Sequence, residues 1–370
     1  VGNSVLELYL YLNIFKKNKN HFFFFDDQFV CNSYFDKICK KNLKFKFLGI
    51  SLYFLFKKFN IFKSLFIEMP NWGSLYNYNY QLKKSKTPKE FKFSNKQNLK
   101  GKNFLKKIGA SDNKKIVCLV VRDNFYKSNY SNELNKNWDY HSYRNVKINT
   151  YLKTIKYLNS NGYFVIRMGK GAERKLKYNN HLYYDYATSN LRTDFLDFWI
   201  MSRAFFCITS GTGIDELCAV YKVPTVDTNF LPIGAIRTLQ NKNITIFKKS
   251  KNKINNKYLN FSEIIKNELF VRPQLFYEKK NKFFWEDNTS QEILDATKEM
   301  ELLLLRKINN KKSKNINQKK FWKIFFSVKK YSNIYRENEI NNLKFKYKYR
   351  NINNSFVSEK FISKNKWLLK

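Results

Sequence analysis

The chain has 370 residues, with 70 Lys+Arg against 29 Asp+Glu, a formal net charge of +41, 43% hydrophobic and 18% aromatic residues. That apolar share excludes a chain disordered throughout, and only 11 Gly and 5 Pro exclude a collagen-like or linker-dominated one. The positive balance points to nucleic acid, an anionic membrane surface or a phosphorylated ligand, but runs such as Lys16-Lys17-Asn18-Lys19-Asn20 and Lys251-Asn252-Lys253 read as Lys/Asn drift of an A/T-rich coding sequence, so charge alone does not identify the function.

Val5, Leu6, Leu8, Tyr9 and Leu12 keep helical spacing behind a Gly2-Asn3-Ser4 turn, with Ser4 as a cap. His21-Phe22-Phe23-Phe24-Phe25 predicts a short buried strand closed by Asp26-Asp27, and helical stretches follow between Phe35 and Phe66. Lys57, Lys58 and Lys63 interrupt the apolar stretch 47–66, which disqualifies it as a bilayer span. A basic, aromatic interfacial surface is still compatible with it. No signal peptide opens the sequence, and its start at Val1 rather than Met fits a fragment that lacks its first strand. Residues 76–107 are polar, Lys/Asn-rich and contain Pro88, and read as an interdomain connection.

From Lys114 the pattern sharpens. Residues 116–121 form a continuous apolar run of the kind that builds a parallel strand covered on both faces. A long polar loop follows, then a helix over 148–159 with Tyr151, Leu152, Ile155 and Leu158 on one face, ended by Asn161-Gly162. Strands are predicted at 163–167, 182–186, 204–209 and 224–227, with helices over 193–202 (capped by Thr193) and from the Ser210–Gly213 turn to Tyr221. Alternation of this kind means βαβ units and a parallel sheet. Thr289-Ser290-Gln291-Glu292 is a capping-box match opening a helix over 293–305. The tail 306–370 is strongly basic; within it residues 343–350 alternate apolar and cationic side chains as a half-exposed strand would.

Cys31, Cys39, Cys118, Cys207 and Cys218 contain no CxxC pair, and Cys118 and Cys207 sit inside apolar runs as small buried hydrophobes. This argues against a disulfide framework or zinc site and fits a reducing cytoplasm. No histidine has metal-ligand spacing to another His or Cys; His21 and His181 flank apolar strands and read as structural.

The chemistry concentrates at the carboxyl ends of the predicted strands, where open α/β sheets bind ligands. Ser210, Gly211, Thr212 and Gly213 form a Gly-rich turn between a buried strand and a helix, either a phosphate seat at a helix N-terminus or a plain βα turn. Arg122-Asp123, Arg167-Met168-Gly169 and Asp185-Tyr186 end three other strands. Arginine is scarce, yet Arg122, Arg144, Arg167 and Arg192 all fall in these segments, where a planar fork serves phosphate or carboxylate or forms a structural ion pair. His141, in the long loop, is a general base, a phosphate donor or a solvated side chain.

Several segments together carry a resemblance. His141-Ser142-Tyr143-Arg144-Asn145, Tyr163–Gly169, Asp185-Tyr186-Ala187, Arg192–Asp197 and Glu292–Met300 resemble, in that order, a family of bacterial glycosyltransferases associated with surface-polysaccharide gene clusters. Gly2-Asn3-Ser4-Val5-Leu6-Glu7 resembles its amino-terminal turn, with Asn3 where that family has His. The similarity spans roughly 1–305, and the Ser210–Val223 turn and helix followed by Pro224 also resembles the nucleotide-sugar half of heptosyltransferase-type enzymes.

The resemblance implies an α/β GT-B arrangement of two Rossmann-like domains facing a cleft. Residues 1–105 would hold the acceptor domain and linker, 106–305 the nucleotide-sugar domain, and 306–370 a basic extension. It implies hexosyl or related transfer from a nucleotide-sugar to a cell-surface glycan or lipid-linked acceptor, with no cofactor beyond the donor substrate. The chain contains no Asp-x-Asp metal anchor, so helix N–H groups and cations would neutralise the departing diphosphate. Arg122, Arg144, Arg167, Gly169, Arg192 and Ser210–Gly213 would then bind phosphate, His141 or Asp123 would be the base, Asp215 or Glu216 would hold a ribose hydroxyl, and Asp194 would orient Arg192. A cytoplasmic location with peripheral contact to the inner membrane face follows. The alternatives are a basic α/β module for RNA or an anionic membrane, resting on the tail, and a GT-B-fold nucleotide-sugar epimerase; nucleic acid is the less favoured partner.

Overall fold

The computed structural model describes residues 2–14, 31–43, 86–110, 113–125, 128–129, 139–237, 242–271, 278–305, 316–327 and 355–370. The strands are β1 (Ile116–Val120), β2 (Phe164–Met168), β3 (Tyr183–Asp185), β4 (Ala204–Thr209), β5 (Thr225–Phe230), β6 (Asn243–Phe247), β7 (Lys249–Asn252), β8 (Phe283–Glu286) and β9 (Ser355–Val357). Seven of them form one sheet in the order β3-β2-β1-β4-β5-β6-β9, every pair parallel, while β7 and β8 make a separate antiparallel ribbon. This is a Rossmann-like α/β sheet.

Strand β1 shows why the sheet is two-sided. Its Ile-Val-Cys-Leu-Val run is buried at every position. Val117 and Leu119 join the apolar cluster on one face, Ile116, Cys118 and Val120 the cluster on the other. Side chains alternate with period two along a strand, so a strand apolar at both parities is covered on both faces.

The helices divide accordingly. They are α1 (Gly2–Ile14), α2 (Ser33–Asn42), α3 (Asn95–Lys107), α4 (Leu152–Ser160), α5 (Asp194–Arg203), α6 (Leu217–Tyr221), α7 (Phe261–Lys266), α8 (Ser290–Leu304), α9 (Ile316–Phe325) and α10 (Glu359–Lys364). Helices α4, α7, α8, α9 and α10 cover the Val117 face. On the other face α5 and α6 take α1, α2 and α3 against them. Cys118 and Cys207 lie side by side in β1 and β4, both fully buried.

The predicted strands at 116–121, 163–167, 182–186, 204–209 and 224–227 correspond to β1 to β5. Three expectations change. Residues 95–107 of the supposed connection form α3, opened by a capping box between Ser94 and Gln97. Its apolar pattern is thin because it packs closely through Gly101, where a Cβ would stand 2.1 Å from the Trp199 ring. The amino-terminal helices share their apolar cluster with the sheet, so among the described residues the segment 1–105 contributes to the same core. The described residues of the tail are more than a basic extension: they supply β9, α9 and α10, and Phe321, Phe325 and Phe361 are interior. The strands expected at 21–25 and 343–350, and the helical stretches beyond residue 43, lie outside the described residues.

Candidate functional site

Strands β1 and β4 are neighbours, and the chain departs from them in opposite directions along the sheet, to β2 and β3 on one side and β5, β6 and β9 on the other. Loops leaving such a switch point diverge and open a crevice at the carboxyl edge. Two hydrogen bonds join its walls: the Arg122 N–H donates to the Ser210 side-chain Oγ at 2.8 Å, and the Ser210 N–H to the Val120 carbonyl at 3.0 Å. The Gly211 N–H donates to Thr209 Oγ1 at 3.0 Å. The first two N–H groups of the turn are therefore occupied. Beyond it come one 3-10 turn, Ile214–Glu216, and the five-residue α6. The expected contribution of a helix N-terminus is correspondingly small, because aligned peptide dipoles sum over helix length.

Side chains supply the positive charge instead. The 3-10 segment Asp139–Arg144 sits over the turn, and Arg144 Nη2 donates to the Gly211 carbonyl at 2.5 Å. Gly211 has φ +79°, and a Cβ there would come within 3.0 Å of Arg144 Nη2. A glycine is needed both for the left-handed backbone and for the approach of the guanidinium. The Val146 N–H donates to the Arg122 carbonyl at 3.0 Å and Asn145 Nδ2 to Asn124 Oδ1 at 2.5 Å, so the loop after β1 and this segment are one assembly.

The electrostatics record the crowding. Burial and then the Arg144 charge push Arg122 down to about 10, although Tyr143, Asp215 and Asp123 pull the other way. Burial, Arg144 and Arg122 together push His141 down to about 3, so its imidazole is neutral at physiological pH. Among the described residues Arg122 Nε and Thr212 Oγ1 are buried without a hydrogen-bond partner. Buried polar atoms in native proteins are nearly always satisfied, so both atoms carry hydrogen-bonding capacity to offer at the crevice.

The remaining expected site residues lie in internal networks. Arg167 is 1% exposed; its Nη1 donates to the Arg174 carbonyl at 2.6 Å and to Asp185 Oδ2 at 3.1 Å, with Asp123 Oδ2 3.6 Å from Nη2. Asp123 also accepts from the Phe125 and Glu173 N–H groups, which makes it an organiser of both loops. Gly169 passes the Tyr186–Thr188 turn, where a Cβ would meet that of Ala187 at 3.1 Å. Arg192 bonds Asp194 at 2.8 Å and also Asp197. Asp194 accepts from the Ser33 N–H at 2.7 Å and Asn32 Nδ2 donates to Asp197 at 3.2 Å, so this group fastens α2 to α5. Asp215 and Glu216 are buried against Arg237, at 3.5 and 3.0 Å, and Thr209 Oγ1 donates to Asp215 at 2.9 Å. Their carboxylates brace the turn from below instead of presenting to a ribose. Gly213 is exposed and His181 likewise; His21 lies outside the described residues.

The sequence reading missed Lys248. It follows β6, and its ammonium reaches the Asn145 carbonyl at 3.0 Å and Asp287 Oδ1 at 2.6 Å. The signal would have been the strand itself. Strand β6 reads as polar because Asn243 and Thr245 are interior, with Asn243 Nδ2 donating to Asp227 at 2.7 Å and Thr245 Oγ1 to Asn243 Oδ1 at 2.8 Å.

Among the described residues no group of three or more His, Cys, Asp or Glu is placed to hold a metal ion, and no helix is long and apolar enough to cross a membrane. Compared with protein-family models, curated proteins and solved structures, the chain matches none.

Proposed function

We propose that the chain is a glycosyltransferase that moves a sugar from a nucleotide-sugar donor to a glycan or lipid-linked acceptor, with the donor diphosphate held at the carboxyl edge between β1 and β4. One observation carries the reading: Arg122 and Arg144 converge on the Gly211 turn, while Asp123 and Asp215 pair with Arg167 and Arg237. Among the described residues no carboxylate forms a salt bridge with Arg122 or Arg144, although Asp123 and Asp215 act on Arg122 from a distance, so guanidinium hydrogen-bonding capacity is available to an anion of the ligand.

In the reaction the bond from the anomeric carbon to the diphosphate oxygen breaks, and the acceptor hydroxyl oxygen bonds that carbon. The leaving diphosphate gains charge, which Arg122 and Arg144 offset without rearrangement. The hydroxyl proton goes to His141. In the ligand-free protein His141 is a weak base, because burial and two guanidiniums depress its proton affinity. A bound diphosphate neutralises that field, so basicity arrives with the donor. Lys319, Lys320 and Lys323 on α9 are exposed and would meet anionic headgroups where the acceptor is lipid-linked.

The test is a thermal-shift panel of UDP-, GDP-, CMP- and ADP-sugars on the wild type and on Arg144→Ala. At a hundredfold excess over Kd, a ligand stabilises by about 2.7 kcal/mol. One sugar nucleotide should raise the wild-type melting temperature, and the variant should lose that response. Silence across the panel, or a full response in the variant, refutes the proposal.

A further inference from the structure

We infer that Lys248 is a positioning residue for the phosphate site: its ammonium, seated on the Asn145 carbonyl, fixes the segment from which Arg144 reaches the Gly211 turn. The inference rests on the phosphate site proposed above.

Lys248 lies at the carboxyl end of β6, two strands along the sheet from β4. Its side chain is 4% exposed and is gripped at two points: Asp287 Oδ1 at 2.6 Å and the Asn145 carbonyl at 3.0 Å. Asn145 adjoins Arg144 in sequence and is tied by Nδ2 to Asn124 in the loop that also holds Arg122. The next residue, Val146, donates its N–H to the Arg122 carbonyl. A chain of bonds therefore runs from Asp287 through Lys248 and Asn145 to both arginines of the crevice.

Stability alone does not account for this arrangement. A buried ammonium loses its hydration, and a well-packed apolar residue in place of a buried ion pair is often neutral or stabilising. Asp287, the counter-charge, is 38% exposed on its side chain, so the pair is half screened. What an apolar side chain cannot do is donate to a loop carbonyl and hold the residue beside it in register. Among the bonds that hold the 139–146 segment, the one from Lys248 reaches it from the far half of the sheet.

The test is calorimetric binding of inorganic pyrophosphate to the full chain, in wild type, Lys248→Met, Lys248→Arg, Arg144→Ala and the Lys248→Met/Arg144→Ala double variant. Loss of a hydrogen bond to a charged group corresponds to a weakening of about tenfold or more. Lys248→Met should show that loss, and Lys248→Arg should recover most of the affinity. In the Arg144→Ala background Lys248→Met should change Kd little, because the residue it positions is gone. A folded Lys248→Met protein with wild-type affinity overturns the inference. So does an equal loss with and without Arg144, since that marks a general structural role. If Lys248→Met does not fold, the same cycle with Asp287→Asn decides by the same criteria. A folded wild type that binds no pyrophosphate overturns the phosphate site itself, an outcome separate from the variant comparison.

Discussion

Replacing Gly211 by Ala tests the site at its narrowest point. Two effects oppose the substitution. At φ +79° an alanine occupies the left-handed region, at about 1–2 kcal/mol. The new Cβ would also stand 3.0 Å from Arg144 Nη2. The end of a flexible side chain moves away cheaply, but moving it breaks the 2.5 Å bond to the Gly211 carbonyl. A hydrogen bond from a charged group is worth about 1.5–3 kcal/mol, part of which water restores at a half-exposed site. Stability should therefore fall by about 1–3 kcal/mol in denaturant unfolding, and pyrophosphate affinity should fall with it by about tenfold. Gly213→Ala is the control: at φ −76° and ψ −24° that backbone suits any residue, and stability should stay within about 0.5 kcal/mol of wild type. A Gly211→Ala protein with unchanged stability and unchanged affinity refutes both the strain and the role of Arg144.

The buried carboxylate of Asp227 should shape the acid side of the stability profile. Burial raises its pKa to about 6, against the pull of Arg237 and the Asn243 hydrogen bond. A group whose folded pKa lies above its unfolded value stabilises the fold most below the unfolded pKa, and that contribution is lost as pH rises from about 4 to about 6. The displacement of about two pH units corresponds to on the order of 3 kcal/mol. Asp227→Asn should flatten the pH 4–6 slope relative to wild type and raise stability at neutral pH; parallel profiles would refute this. Truncation after Leu305 removes Phe321, Phe325 and Phe361 from the core along with β9. At about 1.5–3 kcal/mol for each buried side chain, that approaches the whole stability of a typical domain. The truncated protein should lose cooperative thermal unfolding by circular dichroism, and a sharp wild-type-like transition would show the tail to be dispensable.

The legibility of this fold in its sequence follows from where its polar groups find partners. Strands β1, β2 and β4 announce themselves because continuous apolar runs leave no other reading. Strands β6 and β9 hide behind Asn243, Thr245 and Ser355, which are buried but satisfied sideways by Thr225, Asp227 and the Arg237 carbonyl. Composition adds noise: α3 is Lys/Asn-rich like the loops around it, and its meaning lies in Gly101 against Trp199, a contact between distant positions. The same division runs through the site. Arg122 and the Ser210–Gly213 turn follow strands that are easy to read, so the crevice is located from sequence. The engagement of Arg167, Arg192, Asp215 and Glu216 is set by partners elsewhere in the chain: Asp185, Asp197 and Arg237. Scarcity of arginine marks residues that need a fork, and an internal carboxylate uses that fork as well as a phosphate does.

The pairing of β6 with β9 spans the interval from Asn243 to Ser355. During synthesis the ribosome delivers β6 long before its partner, and the strand waits with one row of N–H and C=O groups uncovered. An uncovered edge pairs with whatever strand reaches it first, including one from another nascent chain. The order of emergence therefore makes β9 protective, because its arrival covers β6 and leaves as the edge a strand of only three residues, a length that templates pairing poorly. A ribosome stall between β6 and β9 should be more damaging than an equal delay before β6.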